Sequence, residues 1–140
     1  MRNVLVLATF LIALGSLAAC AGDDDETSAY PRQVQITDAD DGSTVKLADG
    51  GELIVALPSN LTTGFSWSVS EATAPGLELQ GEPRYVPPGS TSPVAGAAGT
   101  QVFTFEATAP GSAGLVLEYK RPFEPGVAPE ETFSVTVEVR

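Results

Sequence analysis

The chain has 140 residues, 43% of them hydrophobic, which is enough for one folded domain and too few for two. Its formal net charge of −11 would be repelled by phosphate backbones, so we exclude nucleic acid as a partner. With no His and a single Cys, the chain lacks imidazole bases, Cys/His and Ser/His/Asp nucleophile systems and Cys/His zinc sites, and we expect no metal and no cofactor.

The first 19 residues have the pattern of an export signal. Arg2 precedes an apolar run at residues 4–14 that only Thr9 interrupts, and small residues follow. The run fits a signal peptide and falls well short of the ~20 residues that a membrane-spanning helix needs. We therefore interpret residues 1–19 as a signal peptide, with a buried N-terminal helix as the less favoured alternative, and expect the protein to be exported.

Leu17-Ala18-Ala19-Cys20 resembles the bacterial lipobox, in which the Cys receives a diacylglyceryl group and becomes the first mature residue. Two or more acyl chains such as palmitate hold a protein on a membrane, because each buried CH₂ contributes about 0.8 kcal/mol. We expect Cys20 to be lipidated and to anchor the protein to the cell membrane, facing the periplasm or the exterior. An unmodified thiol behind an ordinary secretory signal is the alternative.

Residues 20–32 contain the acidic run Asp23-Asp24-Asp25-Glu26 and are predicted to form a solvated tether.

Residues 33–140 are predicted to form one all-β domain. Short stretches of β-branched and aromatic residues recur between clusters of Gly, Pro, Asp and Ser, at the spacing of a sandwich or barrel. Several stretches alternate apolar and polar residues, which indicates one buried face. The pattern predicts a sandwich of about seven or eight strands, at residues 33–37, 44–47, 52–57, 65–70, 77–80, 99–108, 113–120 and 132–139. The Gly turns at 49–51 and 109–111 are expected to close hairpins.

Three connections differ from simple turns. In the first, two successive stiff Thr residues stand beside Gly64, ahead of Trp67, which we expect in the core. The second, residues 87–99, is long for a compact domain and rich in small residues. The third carries Arg121 and Phe123 on a Pro-stiffened turn, and both types anchor protein interfaces. Each connection also has a simpler interpretation. The first would be an ordinary turn, the second a flexible loop without function, and the third a turn whose Phe packs back onto the core.

At these three loops, and in this order, the sequence resembles the chagasin-type inhibitors of papain-like cysteine proteases, over roughly residues 34–139. The family's first motif is Asn-Pro-Thr-Thr-Gly-aromatic-x-Trp, and it is matched except at the Pro by Asn60-Leu61-Thr62-Thr63-Gly64-Phe65-Ser66-Trp67. The second, Gly-x-Gly-Gly, is matched by Gly96-Ala97-Ala98-Gly99, with Ala98 in place of a Gly. The third, Arg-Pro-Trp, is matched by Arg121-Pro122-Phe123.

The resemblance implies an immunoglobulin-like β-sandwich whose three loops cluster at one end and block the protease cleft, reversibly and without a covalent bond. By position it implies Thr62 near the catalytic Cys/His pair, and Arg121 with Phe123 across the cleft from the loop that ends at Gly99. The implied protease-binding residues are Asn60, Leu61, Thr62, Thr63, Gly64, Phe65, Gly96, Ala97, Ala98, Gly99, Arg121, Pro122 and Phe123. We expect a monomer without catalytic activity. The departures at Leu61, Ala98 and Phe123 predict weaker or narrower inhibition.

Two other functions stay open on the sequence. One is a membrane-anchored immunoglobulin-like module that binds or braces a cell-envelope protein without inhibitory activity, since a fold does not determine function. The other is an enzyme that uses paired carboxylates, either Glu130 with Glu131 or Glu118 with Glu124.

Overall fold

The computed structural model describes residues 30–89 and 97–140. The expected signal peptide, Cys20, the acidic run and Gly96 lie outside the described residues. Within those two ranges, no helix has the length and apolar character needed to span a membrane.

The described residues form nine strands and almost no helix, which confirms the all-β prediction. All eight predicted strands form, each within two residues of its predicted bounds. A ninth short strand is added at Arg84–Val86, too short to show an alternating pattern in the sequence. The strands are β1 (Gln33–Thr37), β2 (Thr44–Leu47), β3 (Glu52–Ser59), β4 (Ser66–Val69), β5 (Leu77–Leu79), β6 (Arg84–Val86), β7 (Gly99–Ala107), β8 (Gly111–Lys120) and β9 (Glu131–Val139).

These strands form two sheets that pack face to face as an immunoglobulin-like sandwich. The first sheet has the order β1-β3-β7-β5, with β6 paired to another part of β7, and the second has the order β2-β9-β8-β4. The β1–β3 and β2–β9 pairs are parallel and the other pairs are antiparallel.

The core lies between the sheets and is built from alternate residues of the long strands. On β7, Phe103 and Phe105 are buried, and on β9 the buried residues are Phe133, Val135, Val137 and Val139, as the alternation predicts. Trp67 is 5% exposed, which confirms its predicted place in the core. Each fully buried Leu, Val or Phe contributes about 1.5–3 kcal/mol to stability.

Both Gly turns carry the chain from one sheet to the other, so the two hairpin predictions are wrong. Around the turn at 49–51, β2 pairs with β9, whereas β3 pairs with β1 and β7. Around the turn at 109–111, β7 and β8 likewise belong to different sheets. A turn signal marks where the chain reverses, but the pairing of the strands follows from which faces can be buried together.

The strand register brings three connections to one end of the sandwich. At this end Ser59 of β3 pairs with Gly99 of β7, and Ser66 of β4 pairs with Lys120 of β8. The connections that leave these strands are loop 1 (residues 60–65), loop 2 (residues 87–98) and loop 3 (residues 121–130). We refer to this as the loop end.

Candidate functional site

Loop 1 is a short 3₁₀ turn, Leu61–Thr63, closed by its own side chains. The Asn60 side chain accepts hydrogen bonds from the Thr62 N–H at 3.2 Å and from the Thr62 hydroxyl at 2.6 Å. The Thr63 hydroxyl donates to the Asn60 carbonyl at 2.7 Å. Gly64 ends the turn with a φ of 78°, which is unfavourable for residues with a Cβ. Both Thr hydroxyls are therefore held in defined positions.

The N–H groups of residues 62–64 and the two Thr hydroxyls donate to acceptors within loop 1 itself. The N–H groups of Thr63 and Gly64 donate to the carbonyls of Asn60 and Leu61, each at 3.2 Å. The Thr62 N–H and the two Thr hydroxyls donate to Asn60, as described above. A hydroxyl has one donor and two acceptor positions, so both hydroxyls would meet a partner as acceptors.

A ladder of rings connects loop 1 to β8. The Tyr119 ring lies 5.4 Å from the Phe65 ring and 5.1 Å from the Trp67 ring, measured between centroids. The Arg121 guanidinium lies over the Phe65 ring, 4.5 Å from its centroid, at the distance of a cation–π contact. The ladder joins loop 1 to the beginning of loop 3.

Loop 3 contacts loop 1 directly. Nε of Arg121 donates to the Thr63 carbonyl at 3.3 Å, and Nη1 of Arg121 is 3.4 Å from a carboxylate oxygen of Glu124. The Phe123 ring covers Gly64 so closely that a Cβ there would lie 3.2 Å from two ring carbons. Phe123 is nevertheless 67% exposed. Loops 1 and 3 thus form one surface, and the Arg121 side chain is engaged within it.

The described part of loop 2 is attached beside loop 1. Gly99 is the first residue of β7 and is buried under Tyr85 of β6. A Cβ at Gly99 would collide with the Tyr85 ring and the Val86 carbonyl, so the last Gly of the second motif has a packing role. Before it, Ala97 is half-buried and Ala98 is exposed.

The large exposed hydrophobic side chains of the described ranges all lie at the loop end. They belong to Leu61 in loop 1, Val86 beside loop 2, and Phe123 and Val127 in loop 3. Their exposed fractions run from 38% for Val86 to 67% for Phe123. Their common location makes the loop end the candidate interaction surface. The motifs do not include Val86 or Val127, which only the fold brings to this surface.

The motifs also miss Gln101 and Tyr119, which support the loops from below. Gln101 makes side-chain hydrogen bonds to the Trp67 backbone, and the Tyr119 hydroxyl accepts from the Asn60 N–H at 3.0 Å. A signal for Gln101 was present in the sequence, because this polar residue continues the inward-facing positions of Phe103 and Phe105.

One of the two carboxylate pairs considered for an enzyme, Glu118 with Glu124, has other partners. Glu118 accepts hydrogen bonds from Lys120 at 2.7 Å and from Ser70 at 3.0 Å, and these bonds hold the pKa of Glu118 below its ordinary value. Glu124 is paired with Arg121. A general acid at neutral pH requires a raised pKa, so Glu118 is not suited to that role.

Comparison with known proteins relates this chain to peptidase inhibitors. Residues 46–137 match the sequence model of the chagasin family peptidase inhibitors I42. Chagasin from Trypanosoma cruzi is 35% identical over 104 residues, which cover 72% of this chain and 93% of chagasin. Amoebiasin-1 from Entamoeba histolytica is 28% identical over 107 residues, which cover 76% of this chain and 100% of that protein.

Two solved structures have a similar fold. The solution structure of amebosin superposes with a TM-score of 0.62 at 28% identity, covering 79% of this chain and 99% of that one. The crystal structure of a cysteine protease inhibitor from Entamoeba histolytica superposes with a TM-score of 0.67 at 20% identity, covering 77% of this chain and 96% of that one. The second likeness concerns the fold alone.

Proposed function

This chain belongs to the chagasin family of peptidase inhibitors, and we propose that it inhibits papain-like cysteine proteases reversibly and without a covalent bond. The observation that carries the proposal is the location of the large exposed hydrophobic side chains. Among the described residues they lie together at the loop end, on or beside the three loops that match the family motifs. Exposed aromatic and apolar side chains in such a position can anchor a protein interface.

In the proposed complex, loop 1 enters deepest and its Thr62 hydroxyl lies near the catalytic Cys/His pair. This hydroxyl donates its proton to Asn60, so it meets the target as an acceptor and suits a protonated imidazole or an N–H group of the cleft. The 3₁₀ turn differs from the extended backbone of a cleavable peptide, so the loop does not place a peptide bond for attack.

Loops 2 and 3 would contact the two walls of the cleft. We assign Phe123 and Pro122 to one wall and residues 96–99 to the other. Arg121 lies in the same surface, and its bond to Thr63 stiffens the unit. Contacts already formed in the free protein reduce the entropy lost on binding, which favours tight inhibition.

A titration of papain tests the proposal. The segment 28–140, which includes the whole hydrophobic core, is added to papain and to an unrelated serine protease, with a small peptide substrate as reporter. We expect a reversible, stoichiometric loss of papain activity and no effect on the serine protease. A folded segment that leaves papain active at micromolar concentration contradicts the proposal and favours the non-inhibitory envelope module.

We further propose that Cys20 carries a lipid anchor at the cell membrane. The fold supports this arrangement, because the chain enters the sandwich at the end opposite the loops. There the centroid of the Tyr30 ring lies 5.7 Å from Nζ of Lys46 and 5.2 Å from Cζ of the Arg140 guanidinium. β3 extends from this end to loop 1 over eight residues, roughly 25 Å. An anchor before Tyr30 would therefore present the loops away from the membrane.

Expression of the full chain in a bacterium that makes lipoproteins tests the anchor. We expect the protein in the membrane fraction, with acyl chains on Cys20 by mass spectrometry, and the Cys20→Ser variant in the soluble fraction. Equal partitioning of the two proteins contradicts the proposal.

A further inference from the structure

We propose that Tyr119 is a positioning residue that holds loops 1 and 3 as one rigid unit for inhibition. The inference rests on the proposed function and adds a residue that the three loop motifs do not contain. Tyr119 lies near the end of β8, two residues before Arg121.

Tyr119 contacts loop 1 at both of its ends. Its hydroxyl accepts a hydrogen bond from the Asn60 N–H at 3.0 Å, where the loop begins. Its ring stacks on Phe65, where the loop ends, with centroids 5.4 Å apart and planes at 25°. Since the Asn60 side chain holds the Thr62 hydroxyl at 2.6 Å, one hydrogen-bonded series runs from Tyr119 to the tip of the loop.

The backbone of Tyr119 closes the base of loop 3. Its carbonyl accepts from the Glu130 N–H at 2.8 Å, and its strand partner on β9 is Glu131. The return of loop 3 and both ends of loop 1 therefore meet at this one residue. Tyr119 is half-buried, and its ring packs against Phe65 and Trp67. Its effect on inhibition would therefore come from the position it gives to the loops and not from its own contact with the protease.

The hydroxyl can be tested separately from the ring. Tyr119→Phe keeps both ring contacts and removes the bond to Asn60, so the fold should be retained. We expect about a 2- to 10-fold weaker inhibition constant against papain, the range that one net hydrogen bond supports. We also expect lower ¹⁵N order parameters at Thr62, Thr63 and Gly64 in the free protein. Tyr30→Phe removes the same atom at the opposite end and should change neither quantity.

A second substitution separates positioning from direct contact. Leu61 is the first residue of the 3₁₀ turn and Asn60 before it is extended, with φ −113° and ψ 92°, so both positions accept Leu61→Pro. If Tyr119 acts by ordering loop 1, Leu61→Pro should have a larger effect in the Tyr119→Phe variant than in the wild type. The gain should appear both in the affinity for papain and in the order parameters of loop 1. If Tyr119 instead contacted the protease directly, Leu61→Pro would have the same effect in both backgrounds.

Each measurement can overturn the inference. Unchanged order parameters in Tyr119→Phe contradict a positioning role, and so does lower order with an unchanged inhibition constant. An additive effect of Leu61→Pro contradicts it as well. A wild-type protein that leaves papain active contradicts the proposed function itself, and the order parameters of the free protein then decide whether Tyr119 positions loop 1.

Discussion

The side-chain amide of Gln101 makes two hydrogen bonds to the backbone of Trp67. Its Oε1 accepts from the Trp67 N–H at 2.9 Å, and its Nε2 donates to the Trp67 carbonyl at 2.9 Å. Gln101 belongs to β7 in the first sheet, and Trp67 belongs to β4, one of the two edge strands of the second. The amide thus takes the place of a neighbouring strand and joins the two sheets beneath loop 1.

Replacement of Gln101 should therefore destabilise the sandwich. We expect Gln101→Ala to lower the free energy of unfolding by about 1–3 kcal/mol, because the backbone groups of Trp67 lose their partner. Urea unfolding of the segment 28–140 measures the change. Gln35→Ala, at an exposed position of β1, is the matched control and should stay within about 0.5 kcal/mol of the wild type. An equally small effect at Gln101 would contradict the bridging role.

Removal of the Phe123 ring should weaken inhibition without affecting the fold. The ring is 67% exposed in the free protein, so Phe123→Ala removes little core packing. An aromatic anchor buried on binding contributes on the order of 2 kcal/mol, which corresponds to an inhibition constant against papain about 10- to 100-fold weaker. Phe123→Trp, which restores the residue of the family motif, should bind at least as tightly as the wild type. Wild-type inhibition by Phe123→Ala would exclude this residue from the interface.

Leu61→Pro should tighten inhibition in the otherwise unchanged protein. The turn geometry accepts Pro at this position, and a fixed φ lowers the entropy cost of ordering the loop. We expect a gain below about 1 kcal/mol, or up to roughly 5-fold in the inhibition constant. Leu61→Ala removes an exposed apolar contact and should act in the opposite direction. Weaker inhibition by Leu61→Pro would mean that the turn changes shape in the complex.

Gly64→Ala should disrupt the surface shared by loops 1 and 3. The left-handed backbone costs a Cβ about 1–2 kcal/mol, and the new atom would also press on the Phe123 ring at 3.2 Å. Gly50→Ala is the control, since Gly50 has a φ of 70° and nothing within 4 Å of its Cβ position. Both variants should lose stability, measured by urea unfolding. Only Gly64→Ala should lose inhibition, by at least about 10-fold. Equal inhibition by the two variants would argue against a shared surface.

Local patterns predicted most of the secondary structure correctly. On β7 and β9, apolar and polar residues alternate because successive side chains point to opposite faces of the strand. The sequence alone therefore shows which face is buried. The three loop motifs were also readable, and the fold places their described residues at one end. The short strand Arg84–Val86 was missed, because three residues carry no detectable period.

The strand partners were not predictable from the same patterns. The pattern of the Gly turns at 49–51 and 109–111 predicts hairpins, but both turns cross between the sheets. A hairpin turn and a turn that crosses between two sheets have similar local chemistry, because each needs only a reversal of the chain. The choice between them depends on which strands bury their apolar faces together, an interaction between residues far apart in sequence.

By itself, the sequence determined the all-β class, the buried faces of β7 and β9 and the residues of the three loop motifs, because these depend on local periodicity and on short, contiguous segments. Only the tertiary structure decided how the site is supported. Tyr119 lies 59 positions from Asn60, and Gln101 lies 34 positions from Trp67. Hydrogen bonds across such separations form only once the two sheets have packed, so no local pattern specifies them. The same packing brings Val86 and Val127 to the surface that the motifs mark.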